Sequence, residues 1–477
     1  MSGGEPETIA PDLCVVGAGS GGLALAAGAA QMGARVVLVE RGLMGGDCLN
    51  FGCVPSKALL AAGHKARSAG EAGLGITPAG APEIDFAGAK DHVAATIAAI
   101  APHDSQERFE GLGVRVIRAE ARFTSPREMA AGDHRIRARR FVIATGSRPA
   151  IPPIPGLADV PHLTNETIFD LRERPGHLVV LGAGPIGLEM AEAHRALGCE
   201  VTVIEAARAL AREDAEAAAL ILDRLRADGV RILEDTPAAR VAGQAGEVTV
   251  ETADGARHTG THLLVATGRR PSLDSLDLDA AGVRHDRAGV TVGADLRSSN
   301  RRVFAIGDAA GGAQFTHLAG YHAATVIRPL LFGLPGRVRA DHIPRVTYTD
   351  PELAHVGLTE AEARGRHGDQ LSVARAAYEG NDRAQATCRT EGLAKVMVVR
   401  GRPVGATIAG PEAGELIGLW ALAIAARLKM SAVAGMVAPY PTLGEINKRL
   451  AGAYFSARLF DNPRLTGIVR LVQRLVP

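Results

Sequence analysis

Two stretches of this chain repeat one pattern, and that pattern limits the possible folds more than any other feature. LCVVGAGSGGLALAAGAAQMGARVVLVE runs from Leu13 to Glu40, and LVVLGAGPIGLEMAEAHRALGCEVTVIE from Leu178 to Glu205. Each opens with a short apolar run that reads as a buried strand, then passes through G-x-G-x-x-G into an Ala/Leu-rich helix. A glycine-containing break and a second β-branched run ending in Glu follow. In both copies the Glu lies 23 positions after the first glycine. The spacing has a physical reading. Gly17 and Gly182 permit a tight turn, Gly19 and Gly184 let backbone approach a pyrophosphate, and Gly22 and Gly187 allow close helix–strand packing. The helix N-terminus then faces the phosphate charge. Glu40 and Glu205 can accept hydrogen bonds from a ribose diol. One such glycine motif also marks ordinary turns, but two in register with strand, helix and Glu predict two dinucleotide sites with electrons passing between them. Glu205 favours NADH, because a carboxylate repels a 2′-phosphate. Arg208 and Arg212 follow closely and leave NADPH possible.

Length and composition narrow the class. At about 100–200 residues per domain, 477 residues suggest three or four domains. A hydrophobic fraction of 47% excludes dominant disorder. With 53 Lys and Arg against 52 Asp and Glu, the formal charge is +1, which argues against a nucleic-acid partner held by phosphate neutralisation. Five cysteines are too few for a secreted disulfide scaffold. The polar, acidic start MSGGEPETIAPD does not read as a signal peptide, so a cytoplasmic protein is expected. LIGLWALAIAA, 416–426, is 11 residues long and closed by Arg427 and Lys429. It falls short of a membrane span and reads as an apolar packing helix. HRIRARR at 134–140 reads as a solvated strand face rather than a nucleic-acid patch.

The cysteines carry the next signal. GGDCLNFGCVPSKALLAAGHKA (45–66) places Cys48 and Cys53 five apart, with a helical pattern starting near Pro55. Residues five apart on a regular helix rise about 7.5 Å, whereas a disulfide needs Cα atoms within about 4.4–6.8 Å. The segment must therefore be distorted, and Gly45, Gly46 and Gly52 supply the freedom. A helix N-terminus beyond Cys53 would stabilise its thiolate. Zinc ligands, inert core cysteines and a redox-active pair beside a flavin are the competing readings. Zinc needs four ligands, and neither a second cysteine pair nor a close His cluster is near, so no metal set is assigned. The redox pair is favoured over both. Cys14 and Cys199 read as core residues, and Cys388 has no assigned role.

The ordered set GAGSGG (17–22), GGDCLNFGCVPSK (45–57), ATGSRP (144–149), GAGPIGLE (182–189), ATGRRPS (266–272), AIGDAAGG (305–312), YTDPELAHVGLTEAEA (348–363) and YPTLGE (440–445) resembles the FAD-dependent pyridine nucleotide–disulfide oxidoreductases. That family includes dihydrolipoamide dehydrogenase, glutathione reductase and the catalytic core of mercuric reductase. The resemblance implies an α/β fold of two Rossmann-like domains, for FAD and NAD(P)H, plus a C-terminal α+β dimerisation domain. The expected division is 1–150 and 271–343 for FAD, 151–270 for NAD(P)H and 344–477 for the interface of a homodimer. SRPAIPPIPG (147–156) and GRRPS (268–272) read as the crossovers. By the same resemblance, Cys53 is the flavin-side thiolate, Cys48 the interchange cysteine, and Lys57 with Glu189 an ion pair near the flavin. Gly307 and Asp308 match the second FAD motif, while Gly46, Thr145, Gly146 and Gly268 fall on cofactor-binding positions. His317 and His322, on the helix after Asp308, read as packing or surface groups.

One departure bears on the acceptor. Disulfide reductases of the family carry HPTxxE, whose His is the acid/base for the thiols; here the segment is YPTLGE, with Tyr440 in its place and Glu445 retained. An ordinary Tyr titrates near 10 and is deprotonated at pH 7 to about one part in 10³. Tyr440 can donate a proton or orient a ligand but is a poor base. Mercuric reductase resembles this chain in carrying Tyr there, although LVQRLVP at 471–477 shows no cysteine pair for metal delivery. The expectation is an NAD(P)H-dependent flavoprotein disulfide oxidoreductase of the Tyr-bearing, mercuric-reductase-like branch. Its small-molecule acceptor could be a disulfide, a quinone or a soft metal ion. The alternatives are a dihydrolipoamide dehydrogenase and a non-enzymatic flavin redox sensor.

Overall fold

The structure, a computed structural model, describes residues 7–460 and 462–476. Residues 1–6 of the polar N-terminal start, and Pro477 of LVQRLVP, lie outside those residues. Two units are resolved by their internal contacts. The first comprises the described part of 1–67 with 82–206 and 236–339; the second comprises 68–81, 207–235 and the described part of 340–477.

In chain order the first unit contains β1 (Leu13–Val16), α1 (Ser20–Gln31), β2 (Val36–Glu40), α2 (Cys53–Gly70), β3 (Arg115–Arg118) and β4 (Arg140–Ile143). It continues with β5 (His177–Leu181), α3 (Pro185–Ala196), β6 (Glu200–Ile204), β7 (His262–Val265), β8 (Val303–Ala305) and α4 (Thr316–Ile327). The strands form a parallel sheet in the order β8-β4-β1-β2-β3. In a second parallel sheet β5 lies between β6 and β7. Strands buried on both faces read as unbroken apolar runs, because alternate side chains enter different cores. Leu13 and Val15 pack with Phe109 and Phe304 on one side of the sheet, and Cys14 and Val16 with Phe141 and Ile143 on the other. Cys14 and Cys199 are both fully buried, as core cysteines should be. The two stretches expected as crossovers pair with each other: Ser147–Pro149 runs antiparallel to Arg269–Pro271.

The glycines of the repeated motif behave alike in both copies. Gly17 and Gly182 have φ of +106° and +103° and lie against the carbonyls of Ala144 and Ala266, so neither tolerates a side chain. A Cβ on Gly22 or Gly187 would land on the carbonyl oxygen of Gly17 or Gly182. Gly184 has nothing within 4 Å of such an atom, and Gly19 only the Cα of Gly46 at 3.9 Å. First and third glycines are therefore packed shut, and the middle ones open.

The second unit holds β9 (Pro344–Thr347), β10 (Glu352–Gly357), β11 (Leu371–Ala377), β12 (Leu393–Val399), β13 (Arg402–Gly410), α5 (Glu445–Leu459) and α6 (Pro463–Leu475). Its antiparallel sheet runs β9-β10-β13-β12-β11. The apolar run at 416–426 forms helical turns whose Trp420 is buried and donates to Asn447 Oδ1 at 2.7 Å. The helix Ala215–Ala227 joins this unit through charge. Buried Lys395 reaches Asp214 at 2.6 Å and Glu216 at 2.8 Å, and Arg345 reaches Glu213 at 2.7 Å. A buried ammonium with two carboxylates keeps its charge compensated.

The glycine contacts generate a stability prediction. Gly22→Ala should cost about 1–3 kcal/mol by overpacking. Gly365→Ala, in the exposed helix Glu360–His367 with nothing within 4 Å, should stabilise by about 0.5–1 kcal/mol. Urea unfolding of the two variants distinguishes them, and equal shifts would contradict this reading of the turn.

Candidate functional site

The cysteine segment is distorted as its spacing requires. Cys48 sits on a short helix, Gly46–Asn50, which ends at Phe51, and Cys53 is the first residue of α2. The segment is pinned to the first glycine turn. Gly45 N–H donates to the Ala18 carbonyl at 2.9 Å, Gly19 bridges Gly45, and a Cβ on Gly46 would meet Gly19 Cα at 2.7 Å. The two thiols hydrogen-bond to each other, and Cys53 Sγ also lies 3.2 Å from Thr316 Oγ1. Thr316 is the first residue of α4, so Cys53 stands at the N-termini of two helices, where partial positive charge favours an anion. The bond from Cys48 is the largest influence on Cys53 and draws its thiol down to about 6. Desolvation opposes this, while Thr316 and the Lys57 ammonium assist. Cys48 is pushed up, first by that same bond and then by burial. The two shifts run in opposite directions, Cys53 toward the thiolate and Cys48 toward the thiol.

Behind the cysteines, α2 and α3 are laced by charge. Lys57 Nζ donates to Glu189 Oε2 at 2.7 Å, and Arg67, further along α2, donates to Glu192 Oε1 at 3.1 Å, one turn along α3 from Glu189. Both glutamates are buried. Gly63 permits the helices to approach, since a Cβ there would come within 3.3 Å of the Ala193 carbonyl.

The glycine turn and the end of β2 border a cavity of about 380 Å³, lined in part by Gly17, Gly19, Glu40, Gly46, Thr145 and Gly146. Glu40 accepts from Ala18 N–H and Gly42 N–H, both at 2.6 Å, which fixes its carboxylate at the rim. In the second motif Glu205 accepts from Ala183 N–H at 2.7 Å, and Gly268 follows β7 with φ +134°. Asp308 begins a polar chain: Ser147 Oγ donates to it at 2.6 Å, Arg269 Nε donates to Ser147 Oγ at 2.8 Å, and Arg269 pairs with Asp47 at 2.9 Å. Asn165 closes the chain on Asp47 at 3.1 Å. Burial raises the Asp308 carboxyl above its usual range. Gly307 N–H donates to Nδ1 of buried His322, and burial lowers that imidazole to about 4, keeping it a neutral acceptor. His317 stacks on Phe315 at 5.2 Å.

A second cavity, about 410 Å³, opens beside Cys48 and is walled by Leu23, Ala27, Leu49, Val54 and Phe109, with Asp104 and Arg108 among its few charged groups. In the second unit, Tyr440 is exposed and donates to Asp382 Oδ2 at 3.0 Å. That bond pushes the phenol above its ordinary range, with the Glu445 charge adding to it. Glu445 opens α5.

The family profile of the pyridine nucleotide-disulphide oxidoreductases matches residues 11–323, and the profile of that family's dimerisation domain matches 343–451. The chain belongs to this family. It is 34% identical over 457 residues to a mercuric reductase of Acidithiobacillus ferrooxidans, covering 91% of this chain and 80% of that one. It is 32% identical over 449 residues to a dihydrolipoyl dehydrogenase of Bacillus subtilis (strain 168), covering 91% and 96%. Among solved structures it resembles the Cu(II) complex of the HOCl-induced flavoprotein disulfide reductase RclA from Escherichia coli. The TM-score is 0.82 at 28% identity, covering 92% of this chain and 98% of that one. This oxidoreductase thus belongs among flavoproteins that use FAD and NAD(P)H, and its dimerisation domain indicates a homodimer.

The residues present fit an FAD. Thr145 Oγ1 is buried without a hydrogen-bond partner among the described residues and lies at the cavity beside the first glycine turn, so a polar ligand there would satisfy it. Several residues around the site have no role that the sequence reading assigns. Thr316, Asp47, Asn165, Ser147 and Arg269 acquire a place only through long-range contacts; Thr316 is 263 positions from Cys53.

The thiol geometry predicts a pH profile. In the reduced oxidoreductase Cys53 should alkylate fully above about pH 6 and lose reactivity below it, as the thiolate is protonated. Cys48→Ala should move that midpoint upward by more than Thr316→Ala does. Rates of iodoacetamide alkylation against pH check the order, and a midpoint unmoved by either change would contradict it.

Proposed function

We propose that the chain is an NAD(P)H-dependent oxidoreductase in which Cys48 and Cys53, cycling between disulfide and dithiol, deliver two electrons to a small acceptor. FAD held beside the glycine turn would supply two-electron redox chemistry between the nicotinamide and the cysteine pair. The observation that carries the reading is the placement of the pair: Cys53 Sγ lies 3.2 Å from Thr316 Oγ1 at the N-termini of two helices, with its thiol drawn down and that of neighbouring Cys48 pushed up. Cys53 would face the flavin and Cys48 the acceptor. Lys57, held by buried Glu189, would place a fixed positive charge at the flavin. Glu40 and Asp308 would orient the adenosine ribose and the ribitol. Gly17, Gly19, Gly22, Gly46, Thr145, Gly146 and Gly307 would shape the FAD cradle. On the nicotinamide side Gly182, Gly184, Gly187 and Gly268 would form the turn, and the Glu205 carboxylate favours NADH. A cytoplasmic homodimer, with Tyr440 and Glu445 of the partner subunit completing each site, fits the family plan.

The acceptor reading follows from what is weak at the site. Tyr440 is bonded to a carboxylate that keeps it protonated, so an acceptor that needs a base to relay protons is disfavoured. An acceptor drawn directly to thiolates, such as a soft metal ion entering the largely apolar cavity at Cys48, is favoured. The mercuric reductase relatives support this class.

Turnover of the holoenzyme with NADH against Hg²⁺, lipoamide and a quinone, measured side by side, tests the proposal. Hg²⁺ should be the best acceptor, and Cys53→Ser should remove its turnover. Tyr440→His should raise lipoamide turnover on the order of 10²-fold. Slow turnover with every acceptor would favour a redox sensor, and an unchanged lipoamide rate would remove the argument from Tyr440.

A further inference from the structure

We propose that α6 is a peripheral anchor that seats the enzyme on an anionic lipid surface. At 100° per residue, Leu465, Ile468, Val469, Leu471, Val472 and Leu475 occupy one arc of about 160°. Thr466, Gly467, Arg470, Gln473 and Arg474 occupy the opposite side, while Arg464 projects within the apolar arc between Leu471 and Leu475, at the first turn, where its long side chain can reach outward. An apolar stripe this wide normally packs on a core, yet no residue of α6 is buried, and Leu471 and Leu475 are 56% and 72% exposed. Phe460, 79% exposed, stands just ahead of it.

Charge selects the occupant. Residues 462–476 contain Arg464, Arg470 and Arg474 and no Asp or Glu. A short helix with an apolar face and a cationic back lies in the headgroup region of anionic bilayers. At about 20 Å it is too short to cross, and no helix among the described residues is long and apolar enough to do so. A second copy of the chain is a poorer match. The match to the family's dimerisation domain ends at residue 451, before the helix begins, and an apolar helix face meeting its own copy would leave Arg470 and Arg474 without an anionic partner. The inference rests on none of the residues assigned to electron transfer and stands apart from the choice of acceptor.

The test is co-sedimentation of the holoenzyme with vesicles of phosphatidylglycerol and phosphatidylcholine, against phosphatidylcholine alone. The enzyme should pellet with the anionic vesicles and stay in solution with the neutral ones. Arg470→Gln with Arg474→Gln should weaken binding on the order of 30-fold. Leu471→Glu with Val472→Glu should abolish it while flavin content and NADH oxidation persist. Failure to pellet with anionic vesicles, or pelleting unaffected by the arginine pair, overturns the proposal even should the glutamate variant not fold. If the glutamate pair instead halves the mass in sedimentation without lipid, the face belongs to a second copy and the proposal is also overturned.

Discussion

The first unit depends on a backbone contact that a side chain would forbid. Where the Cβ of residue 22 would be, the carbonyl oxygen of Gly17 already stands, and the same holds for Gly187 and Gly182. That contact turns β1 into α1 within three residues and leaves the middle glycine open toward the space where a pyrophosphate fits. Glu40 then ties the end of β2 to the turn through Ala18 N–H, as Glu205 ties β6 through Ala183 N–H. Each carboxylate closes the motif it belongs to.

The cysteines inherit their position from this turn. Gly45 and Gly46 lie flat against Ala18 and Gly19, so the short helix bearing Cys48 has one place to go. The break at Phe51 and Gly52 then starts α2 at Cys53 and brings its sulfur to the N-terminus of α4. A thiolate at that point needs no dedicated cation in direct contact, because two helix ends, the Thr316 hydroxyl and the Cys48 thiol all favour the anion. The Lys57–Glu189 pair adds a fixed, compensated charge behind it. The second unit uses a different device, a buried lysine shared among carboxylates, to hold the helix Ala215–Ala227 against its antiparallel sheet.

Much of this is legible in the sequence. The strand–glycine–helix–Glu units are local patterns, and periodicity together with glycine spacing specifies them without reference to the rest of the chain. The distortion between Cys48 and Cys53 is legible too, because helix rise and disulfide geometry conflict over five residues. Thr316 is not, since its meaning comes from a sulfur 263 residues away. The polar chain from Asn165 through Asp47, Arg269 and Ser147 to Asp308 is hidden for the same reason: its members come from separate segments, and no one segment shows that they meet. The acidity of Cys53 escapes sequence reasoning in degree, because it rests chiefly on a hydrogen bond rather than on the helix end alone. The amphipathic face of α6 lies outside the family motifs and emerges only when none of the helix's residues is found buried.

The central claim is that electrons from a nicotinamide emerge at two specific sulfurs. Titrating free thiols in the denatured holoenzyme, before and after anaerobic reduction by NADH, tests it most directly. The account predicts that reduction exposes two new thiols per chain, assignable by mass to Cys48 and Cys53. No gain in thiols on full reduction by NADH, or a gain at Cys14, Cys199 or Cys388 instead, would contradict it.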